Sequence, residues 1–243
     1  MPLKILLNGA KGRMGKTIAE IAHEKDVEIA GGVDLGDDPL PFLANSDVVV
    51  DFSLRDATQG IVERAVEVGK PIVIGTTGHT PEEKDRIASH SSSIPMVWAG
   101  NYSTGVNLLF YLTRLTTEVL GEDFDSEVVE AHHRHKEDAP SGTAERLLEV
   151  IRESRGLPAE SICHGRSGIT GKRPGDQIGS HALRGGDVVG DHMVWFAGEG
   201  ERVELTHRAT DRKIFAAGAL RAAHWVVNKG PGLYSMQDVL GLQ

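Results

Sequence analysis

At 243 residues the chain has room for one large domain or two modest ones. A formal net charge of -9 disfavours nonspecific nucleic-acid binding, and a single Cys excludes an internal disulfide framework and a multi-Cys zinc site. No stretch approaches the apolar length of a membrane span. The short apolar run at the N-terminus passes straight into a Gly-rich turn, which suits a first strand better than a signal peptide. A soluble cytoplasmic protein is expected.

The chain opens with an expected strand, Leu3 to Leu7, followed by a turn containing Gly9, Gly12 and Gly15. Met14, Ile18 and Ile21 then mark one helical face. A tight turn into a helix exposes backbone N–H groups, and the helix N-terminus adds a field that favours a pyrophosphate. Ala10 and Lys11 separate the first two glycines, so the spacing is G-x-x-G-x-x-G rather than G-x-G-x-x-G. "VEIAGGVD" reads as a second strand ending at Asp34. An acid at that place accepts hydrogen bonds from the ribose hydroxyls of a bound dinucleotide. The plain alternative is a packing turn followed by a surface Asp.

"SDVVVDFS" reads as a buried strand and "ATQGIVERAVEVG" as a helix with Ile61, Ala65 and Val68 inward. "KPIVIGTTG" is the next strand, ending in the Gly75–Gly78 turn, and "IPMVWAGNYS" another, ending at Ala99–Tyr102. Apolar strands between helices imply an α/β fold, a Rossmann-type parallel sheet with helices on both faces. Ligands of such sheets sit at the carboxyl ends of the strands. That places Gly9–Gly15, Asp34, Ser53, Gly75–Thr77 and Asn101 near one crevice. Ser53 and Thr76 serve equally well as helix caps.

A helix is expected from Thr104 to Leu120. The pattern then changes. "DSEVVEAHH", "SICHG", "DQIGSHAL", "DVVGDHMVWFA" and "ERVELTHRAT" read as strands joined by Gly-rich or charged turns, which predicts a second, α+β domain with a mixed sheet. One helix interrupts it, with Ala144, Leu147, Leu148 and Ile151 inward. "DRKIFAAGALRAAHWVV" is a further helix, and "KGPGLYSMQDVLGL" a turn with a short terminal helix.

The densest chemistry lies in "EAHHRHKEDAPSGTA", Glu130 to Ala144. Ser141 caps the following helix, or Gly142 and Thr143 begin its first turn. Either way the first-turn N–H groups form a seat for a carboxylate, with the Thr143 hydroxyl as a further donor. A solvated helix cap is the bland alternative. Upstream, His132, His133, Arg134, His135 and Lys136 crowd protonatable groups together. Histidine trades protons near neutral pH, and lysine serves as an electrostatic partner or an acid. A straight strand would hold His132 and Lys136 about 13 Å apart, whereas a turn would gather them round one ligand. Zinc is disfavoured because adjacent strand residues point to opposite faces and the neighbouring Arg and Lys repel a cation. A nucleic-acid patch is disfavoured because the run is short and lacks aromatics.

Together with "GAKGRMG", "GTTG", "AGNYS", "HRATDRKIFAAGALRAAHWV" and "GLYSMQDVL" in order, this motif resembles the bacterial dihydrodipicolinate reductase family. Those enzymes are the 4-hydroxy-tetrahydrodipicolinate reductases of lysine and diaminopimelate synthesis, and the resemblance covers essentially the whole chain. It implies that Gly9, Ala10, Lys11, Gly12, Arg13 and Met14 hold a pyrophosphate and that Asp34 contacts the adenosine ribose. Gly75, Thr76 and Thr77, with Ala99, Gly100, Asn101 and Tyr102, line the nicotinamide side. His132 is implied as acid/base and Lys136 as proton donor. His133 is implied as a substrate contact, and Gly142 and Thr143 as the cradle of a substrate carboxylate.

The family plan implies a dinucleotide-binding domain over 1–103, a substrate-binding and oligomerisation domain over 104–212, and a C-terminal segment, 213–243, completing the first domain. It further implies a small cyclic dicarboxylate substrate, NADH or NADPH, no metal, and a homotetramer built through the second domain's sheet. Leu35 follows Asp34 where some members carry an Arg, so NADH is the expected preference, although Lys11 and Arg13 are cations within the same loop. The rival expectations are another nicotinamide-dependent dehydrogenase of a small carboxylate and a non-catalytic dinucleotide sensor.

Overall fold

The computed structural model describes residues 1–242. The chain divides into two compact units, Met1–Thr104 with the segment from Arg212 onward, and Gly105–Asp211.

The first unit alternates strand and helix: β1 (Leu3–Asn8), α1 (Arg13–Ile21), β2 (Val27–Val33), α2 (Leu40–Leu43), β3 (Val48–Asp51), α3 (Arg55–Glu67), β4 (Ile72–Ile74), α4 (Pro81–Ser89) and β5 (Pro95–Trp98). Successive side chains of a strand point to opposite faces, and this sheet buries both. Ile5, Leu7, Val48, Val50 and Val73 face one core, while Leu6, Val49, Ile72 and Ile74 face the other. Helix α1 packs on the first face through Ile18 and Ile21; α3 packs on the second through Ile61, Val62 and Ala65. Val68, expected inward, is exposed because the helix stops at Glu67 and Val68 is its C-cap.

The second unit begins with α5 (Thr104–Leu120) and continues through β6 (Asp125–His132), α6 (Gly142–Arg155), β7 (Ile162–His164), β8 (Ile178–Arg184), β9 (Gly190–Gly198) and β10 (Glu201–Ala209). Its sheet runs β10-β9-β6-β8-β7 and is mixed: β6, β7 and β8 are parallel, and β9 is antiparallel to both β6 and β10. One face forms the core. Val128, Ile178, Val194 and Phe196 pack there with Leu147, Leu148 and Ile151 of α6.

After the second unit the chain returns to the first as α7 (Lys213–Val226), β11 (Gly232–Tyr234) and α8 (Met236–Leu240). Helix α7 is rich in small residues, and its close fit is visible at Gly218, where any side chain would strike the Tyr102 carbonyl. Strand β11 was not apparent in the sequence, which there reads as a turn. It pairs in parallel with β5, so the first sheet has six strands in the order β11-β5-β4-β3-β1-β2, all parallel. Register then builds a site. Val33, Asn8, Asp51, Ile74 and Trp98 are consecutive partners across β2, β1, β3, β4 and β5. The loops that follow these residues therefore leave one edge of the sheet at one level.

Candidate active site

In the first unit the Gly-rich turn is shaped by contact. Gly9 has φ +84°, and a side chain there would strike the Phe52 backbone. A side chain at Gly15 would strike the Gly9 and Ala10 carbonyls. Only glycine lets the loop close down in this way. Gly12 is the N-cap of α1 and offers no capping side chain, so the first-turn N–H groups of the helix have no side-chain cap. Such an end is a ready anion seat.

Asp34 stands at the end of β2 with its carboxylate accepting the Lys11 N–H at 3.1 Å. The Lys11 ammonium lies 3.9 Å from Asp34 and 3.8 Å from Asp37. Leu35 is exposed. Arg13 begins α1 and is exposed, while Met14 packs on the core.

Gly75–Thr77 and Ala99–Tyr102 are bound together. The Tyr102 hydroxyl donates to the Ile74 carbonyl at 2.7 Å, and the Ala99 N–H reaches the same carbonyl at 3.2 Å. Asn101 accepts the Ser103 N–H at 2.9 Å. Beneath them sits Asp51, fully buried. Its carboxylate accepts from Asn8 Nδ2 at 2.7 Å, Thr58 Oγ1 at 3.0 Å and Thr76 Oγ1 at 2.8 Å, and also from the Ser53 hydroxyl. Ser53 and Thr76 are therefore not helix caps. Leu54 and Thr80 occupy those positions, and only Thr80 caps with its side chain.

In the second unit, β6 ends at His132 and the chain turns, with the Lys136 N–H on the His133 carbonyl at 3.1 Å. Glu130, two residues before His132, shares its face of the strand. Glu130 Oε2 lies 2.6 Å from His132 Nδ1. Arg184, the β8 partner of His132, grips both Glu130 oxygens at 2.7 Å and also donates to the Asp138 carbonyl at 2.8 Å. Lys136 Nζ in turn lies 2.8 Å from both Asp138 oxygens. Lys136 and His132 thus belong to one connected polar set. Burial opposes the charge on Glu130, but hydrogen bonds from Arg184 and His132 outweigh it and hold the carboxyl below its ordinary range.

Helix α6 begins beside this set. Ser141 is its N-cap: the hydroxyl accepts the Ala144 N–H at 3.2 Å, and the Ser141 N–H donates to Glu130 Oε1 at 3.1 Å. Gly142 is exposed, with open space where a side chain would stand. Thr143 follows, half-buried. His192 of β9 lies behind, its Nε2 3.0 Å from Ser141 Oγ and its ring edge-on to His132 at 5.1 Å. Burial, reinforced by the His132 imidazole, pushes His192 down to about 4. His133 is half-buried, with its ring 6.2 Å from that of His135.

Two family models match the chain: "Dihydrodipicolinate reductase, N-terminus" over residues 3–102 and "Dihydrodipicolinate reductase, C-terminus" over residues 105–240. The chain belongs to the dihydrodipicolinate reductase family. A relative from Akkermansia muciniphila named 4-hydroxy-tetrahydrodipicolinate reductase is 50% identical over 99% of this chain and 98% of its own. One of the same name from Anaeromyxobacter dehalogenans is 46% identical over the same shares. The fold resembles a dipicolinate-bound dihydrodipicolinate reductase from Paenisporosarcina sp. TG-14 (TM-score 0.78, 22% identity, 98% and 99% of the two chains). It also resembles an amine dehydrogenase from Mycobacterium smegmatis (TM-score 0.64, 13% identity, 97% and 95%).

As a member of this dihydrodipicolinate reductase family the chain is an oxidoreductase with a Rossmann-type dinucleotide-binding unit, and it uses NAD(P)H. The sequence reading did not single out Asp51, Glu130, Arg184 or His192. Glu130 had a signal, its two-residue spacing from His132 on a strand. Asp51 had a weaker one, an acid closing the apolar run "VVV". Arg184 and His192 had none, because they reach Glu130 and Ser141 from 54 and 51 residues away.

Proposed function

We propose that this chain catalyses the NAD(P)H-dependent reduction of 4-hydroxy-2,3,4,5-tetrahydrodipicolinate to tetrahydrodipicolinate, with loss of water, in lysine and diaminopimelate biosynthesis. The observation that carries this reading is the joining of an imidazole–carboxylate pair, His132–Glu130, to the N-terminus of α6 through Glu130 itself. That junction handles protons and anions within a few residues, which is what a dicarboxylate reduction needs.

The Gly9–Met14 turn would hold the cofactor pyrophosphate; its glycines keep the loop compact and leave the first turn of α1 without a side-chain cap, so the residues fit the group. Asp34 would meet the adenosine ribose, and Gly75–Thr77 and Ala99–Tyr102 the nicotinamide side. Thr76 would act there through its backbone, since its hydroxyl is turned to Asp51. When bound, the reduced nicotinamide supplies a hydride. The chain's own work is at the substrate. First-turn N–H groups at Gly142 and Thr143 would take one carboxylate, aided by the α6 dipole. His133 would contact the ring. Water leaves from the 4-position, and the reduction of the resulting conjugated imine needs one proton beside the hydride. His132 Nε2 and Lys136 Nζ are the two atoms proposed to hold and deliver it. No metal enters this proposal; Arg184 and Lys136 already occupy the Glu130 and Asp138 carboxylates beside His132.

NADH is the proposed preference. The nearest cation, Lys11, is already flanked by Asp34 and Asp37, and Leu35 supplies no charge to a 2′-phosphate. A homotetramer through the second sheet is proposed as well. It is supported by the sheet face opposite the core, which presents half-buried Val129, Met193 and Trp195 and exposed Leu183. The proposed location is the cytoplasm; no helix among the described residues is long and apolar enough to cross a membrane.

The test is a coupled assay in which the preceding synthase makes the substrate fresh and oxidation of NADH or NADPH is followed. Substrate-dependent oxidation is expected with both, with higher kcat/KM for NADH. No oxidation with either would defeat the activity, and a strong NADPH preference would defeat the cofactor assignment.

A further inference from the structure

Glu130 touches two devices of different purpose. Its carboxylate is 1% exposed and divided between them: Oε2 faces His132 Nδ1 at 2.6 Å, and Oε1 accepts the Ser141 N–H at 3.1 Å. Arg184 holds both oxygens in a forked grip, so the carboxylate cannot turn without breaking two charge-assisted hydrogen bonds. We propose that Glu130 is a positioning residue that fixes, in one rigid step, the proton-exchanging atom of His132 and the N-cap of the carboxylate-binding helix α6. The proposal rests on the reductase reading of this site and deepens it.

The chemistry follows from what a carboxylate can do. An ionised carboxylate only accepts hydrogen bonds. The proton between Glu130 and His132 therefore sits on Nδ1, and the neutral ring keeps its lone pair on Nε2. Nε2 becomes the atom that takes up and releases a proton. Gly190 leaves room for that edge of the ring: a side chain there would stand 3.0 Å from Nε2. The other oxygen of Glu130 anchors Ser141, so the first turn of α6 is placed by the same group that orients the imidazole. His192, kept neutral by burial beside His132, adds no second positive charge.

Around His132 stand Glu130 on its own strand and His192 on β9; Arg184 of β8 grips Glu130 and also binds the Asp138 carbonyl, and the Asp138 carboxylate holds Lys136. Losing the carboxylate should therefore change the tautomer of the ring, whereas losing Arg184 should leave the acceptor in place.

The experiment is side-chain 15N NMR of the histidines across pH in the full chain, without substrate, for the wild type, Glu130→Gln and Arg184→Met. In the wild type His132 is expected as the Nδ1–H tautomer. In Glu130→Gln, whose amide can donate as well as accept, that tautomer should give way to a mixture. In Arg184→Met the Nδ1–H tautomer should persist, because the carboxylate still accepts from the ring. Kinetics in parallel should show kcat for Glu130→Gln at least tenfold down, with NADH affinity unchanged. Should Glu130→Gln not fold, the wild-type tautomer decides alone. An Nε2–H tautomer in the wild type, or an unchanged Nδ1–H population in a folded Glu130→Gln, overturns the proposal. These spectra need no turnover, so an inactive wild type would count against the reductase reading and leave the positioning result standing.

Discussion

Thr76 Oγ1 donates to Asp51 Oδ2 at 2.8 Å, and that bond ties the loop after β4 to the end of β3 beneath the dinucleotide-binding edge. Asn8, Ser53 and Thr58 donate to the same fully buried carboxylate. Replacing it with Ala takes the acceptor from the buried Thr58 and Thr76 hydroxyls and removes one partner each from Asn8 and the half-buried Ser53. Asp51→Ala is expected to destabilise the first unit by about 3 kcal/mol or more, and Asp51→Asn by less. Thermal melting with and without NADH checks this. A melting temperature within a degree of the wild type would show that the hub is dispensable.

Gly190 gives His132 its space. Gly190→Ala would set a methyl group 3.0 Å from Nε2, tighter than a relaxed contact. If His132 holds the role proposed for it, turnover should drop roughly ten- to hundredfold, because a small misplacement of a reacting group is costly. Cofactor affinity should hold. Steady-state kinetics beside NADH titration separates the two, and unchanged kcat would place the proton-exchanging edge of the ring elsewhere.

His132→Ala and Lys136→Ala should each lower kcat by roughly a hundredfold or more, the range of general acid–base contributions. Both residues lie in the unit that lacks the Gly-rich turn, so NADH binding should be nearly untouched. If either variant turns over at the wild-type rate, that residue loses its assigned role.

Two groups make the second unit acid-sensitive. Burial works against ionisation of Glu127, but hydrogen bonds from Arg166, His181 and Arg173 bring it from 4.5 down to about 2. Its folded value is depressed, so its stabilisation is complete above pH 4.5 and is lost as pH falls toward 2. His192 is lowered from 6.5 to about 4, so the unfolded chain takes up its proton first and stability falls through that window. Each shift is on the order of 3 kcal/mol. The melting temperature should decline steadily from pH 7 to pH 3, and Glu127→Gln should flatten the part below pH 4.5. A flat wild-type profile would contradict both.

Local pattern was readable where local physics decides. The apolar runs of β1, β3, β4 and β5 can only be buried strands, and the spacing Ala144, Leu147, Leu148, Ile151 sets the inner face of α6 whatever it packs on. Ser141 as cap and Gly142 with Thr143 as first turn read as alternatives in the sequence; the helix takes both, capped by Ser141 and beginning at Gly142. Boundaries were less secure. Val68 continues the helical period in sequence, yet the chain leaves the helix one residue earlier.

Strand β11 has three residues and no pattern of its own; it is a strand because the free edge of β5 supplies its hydrogen-bonding partners. Ser53 and Thr76 read equally as crevice residues or as caps; Asp51 takes both hydroxyls, that of Ser53 from two residues away and that of Thr76 from the neighbouring strand. Most elements, the Gly-rich turn and the family motif are written in neighbouring residues and are legible there; α2, α4 and β11 are not. The approach of Arg184 to Glu130 and of His192 to Ser141 emerges only on folding, because pairing across a sheet joins residues whose separation along the chain carries no periodic signal.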